Sequence, residues 1–187
     1  MWFAPVVTVP PAAEPLLLAD AKAHLRVDHS DDDALINANI ATSRGHVESR
    51  TGTRLVTQTV SLKTDDWSDL ASLPIAPVQS ITSVAYVDTA GAPQTLSTDV
   101  YEARLFGLEP SISLKFGQSW PSMQDRTLLT VVAVVGYAAA PPETIHAMKL
   151  ILGDLYAHRE TVAEAGMSLP LAASVDALLA NHKKHLI

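Results

Sequence analysis

The hydrophobic residues of this chain change their spacing twice, from a helical period to alternation and back, and this limits the fold more than any single motif. From Leu18 to Arg26 the sequence is rich in helix formers, with Leu18, Ala21 and Leu25 at helical spacing. The acidic run Ser30-Asp31-Asp32-Asp33 precedes a second periodic stretch, in which Ile36, Ile40 and Val47 share a face through to Gly52. Ser or Asp there accepts orphan amide hydrogens of the first turn, the negative charge suits the positive end of the helix dipole, and Gly52 supplies the stop.

Alternation then takes over. Arg54 to Lys63 and Val78 to Val87 read as half-buried strands, and Asp88-Thr89-Ala90-Gly91 predicts a hairpin turn into Pro93–Leu96. Further strands are expected at Val100–Leu105, Ser111–Phe116 and Leu128–Tyr137. After Pro141-Pro142 the helical period returns, with Ile145, Met148, Leu152, Leu155 and Arg159 on one face. A loop with Gly166 and Pro170 leads to a last helix bearing Val175, Leu178, Leu179 and His182. Helices at both ends and strands in the middle predict an α+β fold, a small helical bundle from both chain ends with an inserted all-β, sandwich-like domain. The expected divisions are an extended proline-rich arm at 1–15, held by contacts rather than by its own hydrogen bonds; a helical domain from 16–53 and 141–180; a β domain at 54–140; and a tail at 181–187.

Composition narrows the chemistry. The chain has 187 residues, 48% of them hydrophobic, enough to bury one core or two small ones. Its net charge of -7 disfavours a surface that grips nucleic acid. The absence of cysteine removes disulfides, thiolate nucleophiles and cysteine-ligated metals. The most apolar run, Leu128–Ala140, is too short for a membrane span, and the first residues lack the basic start of a secretory signal. A soluble protein made in the cytosol is expected.

No catalytic set assembles from the motifs. Gly117-Gln118-Ser119-Trp120-Pro121 approaches a nucleophile elbow but puts Trp and Pro where the strand needs small residues to turn. Trp120 packed on a sheet edge or on a neighbouring subunit is the simpler reading, and Trp67 and Trp120 are the candidate subunit or tail interface residues. Asp31–Asp33 lack the alternation and central glycine of a calcium loop, so helix capping explains them. Asp65, Asp66 and Asp69 read as a solvated loop, and Trp67, Tyr86, Phe106, Phe116 and Trp120 as core or interface packing. His182 and His185 flank Lys183 and Lys184, which suits a tail touching an acidic or carbonyl-rich surface better than a metal site. Neither metal nor other cofactor is expected.

The organisation resembles a known family. Leu18-Ala19-Asp20-Ala21-Lys22-Ala23-His24-Leu25-Arg26-Val27-Asp28, Asp32-Asp33-Ala34-Leu35-Ile36, His46-Val47-Glu48 and Thr51-Gly52 resemble the opening of head-tail connector, or adaptor, proteins of tailed bacteriophages and of prophage-derived particles such as gene transfer agents. The resemblance continues at Pro74–Ile81, Gly117–Pro121, Ile145–Glu160, Leu169-Pro170 and Val175–Leu179. It implies a non-enzymatic subunit of a homo-oligomeric ring, usually of twelve copies, in the virion neck. Such a ring joins the portal protein to a tail terminator or stopper protein, lets DNA pass through its lumen without sequence-specific binding, and is assembled in the bacterial cytoplasm. The same resemblance implies portal contact by the C-terminal segment, carried here to Asn181, His182, Lys183, Lys184, His185, Leu186 and Ile187. The alternatives are a tail-completion or terminator protein, or a particle-associated hydrolase using Ser119 or His158.

Overall fold

Alternating side chains become a buried and an open sheet face where two strands of seven residues pair along their full length. The computed structural model describes residues 1–158 and 169–184. It divides into two compact units, one holding Met1–Ala12, Gly52–Tyr137 and Lys184, the other drawn from Ala13–Thr51 and Ala138–Lys183.

In the first unit β1 (Val6–Val9), β2 (Gln58–Thr64), β3 (Val78–Val87), β4 (Pro93–Thr95) and β7 (Leu129–Val135) form an antiparallel sheet in the order β1-β2-β7-β3-β4. β5 (Tyr101–Arg104) and β6 (Ser111–Leu114) form a separate hairpin. Val60 lies opposite Ala133, and Leu62 and Val84 flank Val131 from either side, so one face of the sheet is a continuous apolar layer. Leu70, Leu73 and Ile75 from the β2–β3 connection join this layer, with Tyr101 and Ile112 from the hairpin. Each such aliphatic side chain contributes about 1.5–3 kcal/mol by leaving water.

Three expectations are corrected here. Residues 6–9 are not held by contacts alone: they form a hydrogen-bonded edge strand on β2, because Val-Val-Thr-Val favours the pleat and the prolines at 5 and 10 lie just outside it. The strand expected from Arg54 begins at Gln58 instead. Arg54 is engaged outside the ladder, its N–H donating to Ala76 O at 2.8 Å and its carbonyl accepting from Tyr137 N at 3.2 Å. Where these segments cross, Gly136 has φ +104°, and a Cβ there would lie 2.1 Å from Val56 O. Asp65, Asp66 and Asp69 do not lie in a plain solvated loop. Asp66 accepts the Ser68 N–H at 2.8 Å to cap a 3₁₀ turn over Trp67–Ala71, while Asp69 accepts from Thr64.

The second unit comprises α1 (Leu18–Leu25), α2 (Asp33–Thr51), α3 (Pro142–Ala157) and α4 (Leu169–Leu179). α2 packs on α1 and α3, and α3 on α4. Ile36, Ile40 and Val47 are buried with Met148, Ile151, Leu152, Val175 and Leu179. Gly52 ends α2 at φ +68°, a backbone state that glycine enters without a Cβ penalty. The acidic residues at the start of α2 serve tertiary contacts: Lys22 Nζ donates to Asp33 at 2.6 Å and Tyr156 Oη donates to Asp32 at 2.5 Å. Arg44 binds Glu14 through both carboxylate oxygens, at 2.6 and 3.1 Å, and reaches buried Glu48 at 3.2 Å. These hydrogen bonds hold the Arg44 guanidinium above its ordinary pKa, with Glu14 the largest cause.

The crossing at Gly136 yields a direct prediction. Gly136→Ala combines a strained backbone with overlap against a carbonyl and should cost about 3 kcal/mol or more, read as a lower urea midpoint with an unchanged slope.

Candidate interaction site

The 3₁₀ turn presents Trp67, and the loop after β6 returns Trp120 onto it. The two indoles stack with centroids 4.9 Å apart and planes 6° from parallel, while Tyr86 meets Trp67 edge-on at 5.5 Å. Beside them is an open cleft of about 340 Å³, walled by the two Trp rings, Ala71, Ile112, Leu114 and the Arg104 side chain. Arg104 Nε donates to Glu102 at 2.8 Å, so its charge is locally balanced. Trp67 Nε1 and Ser113 Oγ, both on residues of the cleft wall, are buried without a hydrogen-bond partner in the protein. A buried donor left without a partner costs about 1–3 kcal/mol. Trp67 and Trp120 are thus brought together, as two candidates the sequence could only name separately.

The C-terminal candidates separate into distinct roles. Asn181 and His182 belong to a 3₁₀ turn at Ala180–His182 that prolongs α4. His182 Nε2 lies 3.5 Å from Glu143 and Lys183 Nζ lies 3.5 Å from Asp176. Arg50 at the end of α2 grips both Asp176 oxygens at 2.8 Å, which lowers the Asp176 pKa, with a smaller contribution from Lys183. Lys184 is buried: its Nζ donates to Leu108 O at 3.2 Å and Glu109 Oε2 at 3.4 Å, and its Cβ lies against Gly52. The carbonyl and carboxylate that receive Lys184 therefore belong to its own chain. His185, Leu186 and Ile187 lie outside the described residues.

Ser119 lies in the loop that carries Trp120, while the His158 ring contacts Asp154 one turn earlier along the chain, its Nδ1 3.2 Å from both the carbonyl and the carboxylate oxygen. Among the described residues no group of three His, Asp or Glu converges on a point that could hold a metal ion, and no helix is long and apolar enough to cross a membrane. Phe106 and Phe116, expected in a core or an interface, are not in the core: they are 88% and 106% exposed at the ends of the β5–β6 hairpin.

With this geometry in place, the fold has known counterparts. It matches a chain in the neck of an empty GTA particle computed with C6 symmetry (TM-score 0.79, 19% identity, covering 99% of this chain and 98% of that one). It also matches chains in the virion of a native gene transfer agent (GTA) particle (0.78, 19%, 99% and 97%) and in the neck of a native GTA particle computed with C12 symmetry (0.76, 20%, 99% and 98%). More narrowly, residues 16–92 match the family of the Phage gp6-like head-tail connector protein, a stretch that contains the segments from Leu18 to Gly52 quoted above. No curated protein matches the chain.

Two outcomes follow from the geometry. Trp120→Ala should leave the fold intact at a cost of about 1 kcal/mol for the lost stack, and should shift the fluorescence of the remaining indoles to the red as one Trp67 face meets water. Because the Asp176 pKa is depressed, its pairing with Arg50 contributes stability above the ordinary carboxylate value, about 3.9, and loses it as pH falls through the lower folded value. A carboxyl NMR titration should place the Asp176 midpoint below about 3.9, and Arg50→Met should raise it back toward that value.

Proposed function

We propose that this protein is a structural head-tail connector of a phage-like particle, a subunit of a ring beneath the portal that joins capsid to tail. The observation that carries the reading is the match of residues 16–92 to the head-tail connector family. The likeness over 99% of the chain to chains from GTA necks supports it, since it includes both units of the fold. The cyclic symmetry with which those necks were computed supports a ring. On this reading the protein acts by occupying a joint rather than by turning over a substrate. Its partners are the portal and a tail terminator or stopper, and a net charge of -7 on each copy keeps the passing DNA from adhering.

The portal contact belongs to the C-terminal segment, 181–187. Lys184 is its fixed root, leaving His185, Leu186 and Ile187 as the residues offered to the portal. Trp67 and Trp120 serve a subunit or tail interface through the cleft they border.

Deleting His185–Ile187 should leave the melting temperature of the isolated protein unchanged while heads accumulate without tails. Finding the protein missing from purified wild-type particles would overturn the connector reading. Tailed, infective or gene-transferring particles built with the truncated chain would overturn only the assignment of the tail.

A further inference from the structure

Among the described residues Lys184 is the only lysine or arginine that is buried, its side chain 1% exposed. Its Nζ donates to Leu108 O at 3.2 Å and to Glu109 Oε2 at 3.4 Å. Taking an ammonium out of water is costly, and long contacts to one carbonyl and one half-exposed carboxylate offset that cost poorly. An aliphatic side chain of the same length would fill the site at least as stably. What lysine supplies there is direction, because the ammonium is held only where both oxygens lie.

The turn that receives it is itself fixed. Leu108 and Glu109 lie between β5 and β6, and the next residue, Pro110, accepts the N–H of buried Leu73 at 2.9 Å. The main chain of Lys184 is confined from a second side, since a Cβ on Gly52 would stand 3.4 Å from the Lys184 Cβ and 3.9 Å from its carbonyl oxygen. The residue before it, Lys183, is 36% exposed and meets Asp176 at 3.5 Å, a surface pair of the kind that holds little. Lys184 is thus the firm hold immediately before His185.

We infer that Lys184 is a positioning residue for the portal contact: without meeting the portal itself, it fixes on the β5–β6 turn the point from which His185, Leu186 and Ile187 start. The inference rests on the connector reading and on the assignment of those three residues to the portal. Three residues reach about 10 Å at full extension, so a shift of their root by a few ångström changes which portal surface they meet. A root that is already ordered also removes the entropy of ordering it from the binding step, a factor of about ten for one backbone residue.

The test measures binding to purified portal rings of the same particle by four full-fold proteins: wild type, Lys184→Met, a chain with Gly-Gly inserted between Lys184 and His185, and a chain lacking His185–Ile187. Met keeps the length of the stem and removes the charge. Lys184→Met should therefore melt at the wild-type temperature or a few degrees above it, yet bind portal about tenfold more weakly. The insertion keeps the Lys184 hydrogen bonds and moves the root of the tail, and should weaken binding as much. Wild-type affinity in either variant, or a Lys184→Met loss that comes with a lower melting temperature, would overturn the positioning role and leave the connector reading intact. A truncated chain that binds like wild type would overturn the assignment of the tail together with this inference. Wild type that does not bind portal rings at all would overturn the portal contact of the connector reading as well.

Discussion

The β unit depends on its central strand being the last one made. β7 pairs with β2 on one side and β3 on the other, so two strands more than forty residues upstream wait for it before either has a complete ladder. Every second residue of β7, from Leu129 to Val135, is buried, and this is the layer onto which the hairpin and the β2–β3 connection close. Immediately after it the chain must turn past Val56, which only a residue without Cβ can do. The sheet is thus organised by non-local pairing, the slow step of folding for such topologies, and one glycine keeps its exit clear.

The helical unit is tied differently. Its apolar seam is supplemented by partly buried charge pairs at the helix ends, Lys22 with Asp33 and Arg44 with Glu14 and Glu48, in which each side chain fixes where another segment enters. Removing one partner of such a pair leaves the other stranded, a cost larger than the pair's net contribution. The Asp-rich start of α2 is therefore a junction as well as a dipole complement: Asp32 and Asp33 look outward along the sequence but bind Tyr156 and Lys22.

That contrast explains what the sequence revealed and what it concealed. Periodicity is a local signal, so β3 was legible from Val78 to Val87, α1 from Leu18 and the Asp88–Gly91 turn from its residues alone. Tyr156 meets Asp32 across 124 positions and Lys184 meets Leu108 across 76, and no spacing rule reaches that far. Val-Val-Thr-Val has strong strand character, but four residues between prolines announce nothing until β2 offers an edge. Of the candidate site, Trp67 and Trp120 were nameable as aromatic residues without a core helix or strand to serve. Their parallel stacking depends on a 3₁₀ turn and a loop meeting, which belongs to tertiary structure.

The exposed aromatic residues carry the same logic one step further. Phe106 and Phe116 are each followed by a glycine at positive φ, +64° at Gly107 and +78° at Gly117, so each hairpin end turns sharply and leaves its ring outside. A stable monomer gains nothing from a bare phenyl ring at a turn, because burying that area is worth about 2 kcal/mol wherever a surface is offered. Uncharged β1, the Trp67 cleft and these two rings all lie in the β unit, whereas the charge pairs described above for the helical unit are satisfied within it. Among the described residues, the large exposed apolar side chains therefore lie mostly in the β unit, with Leu17 just before α1, 62% exposed, the exception in the helical unit.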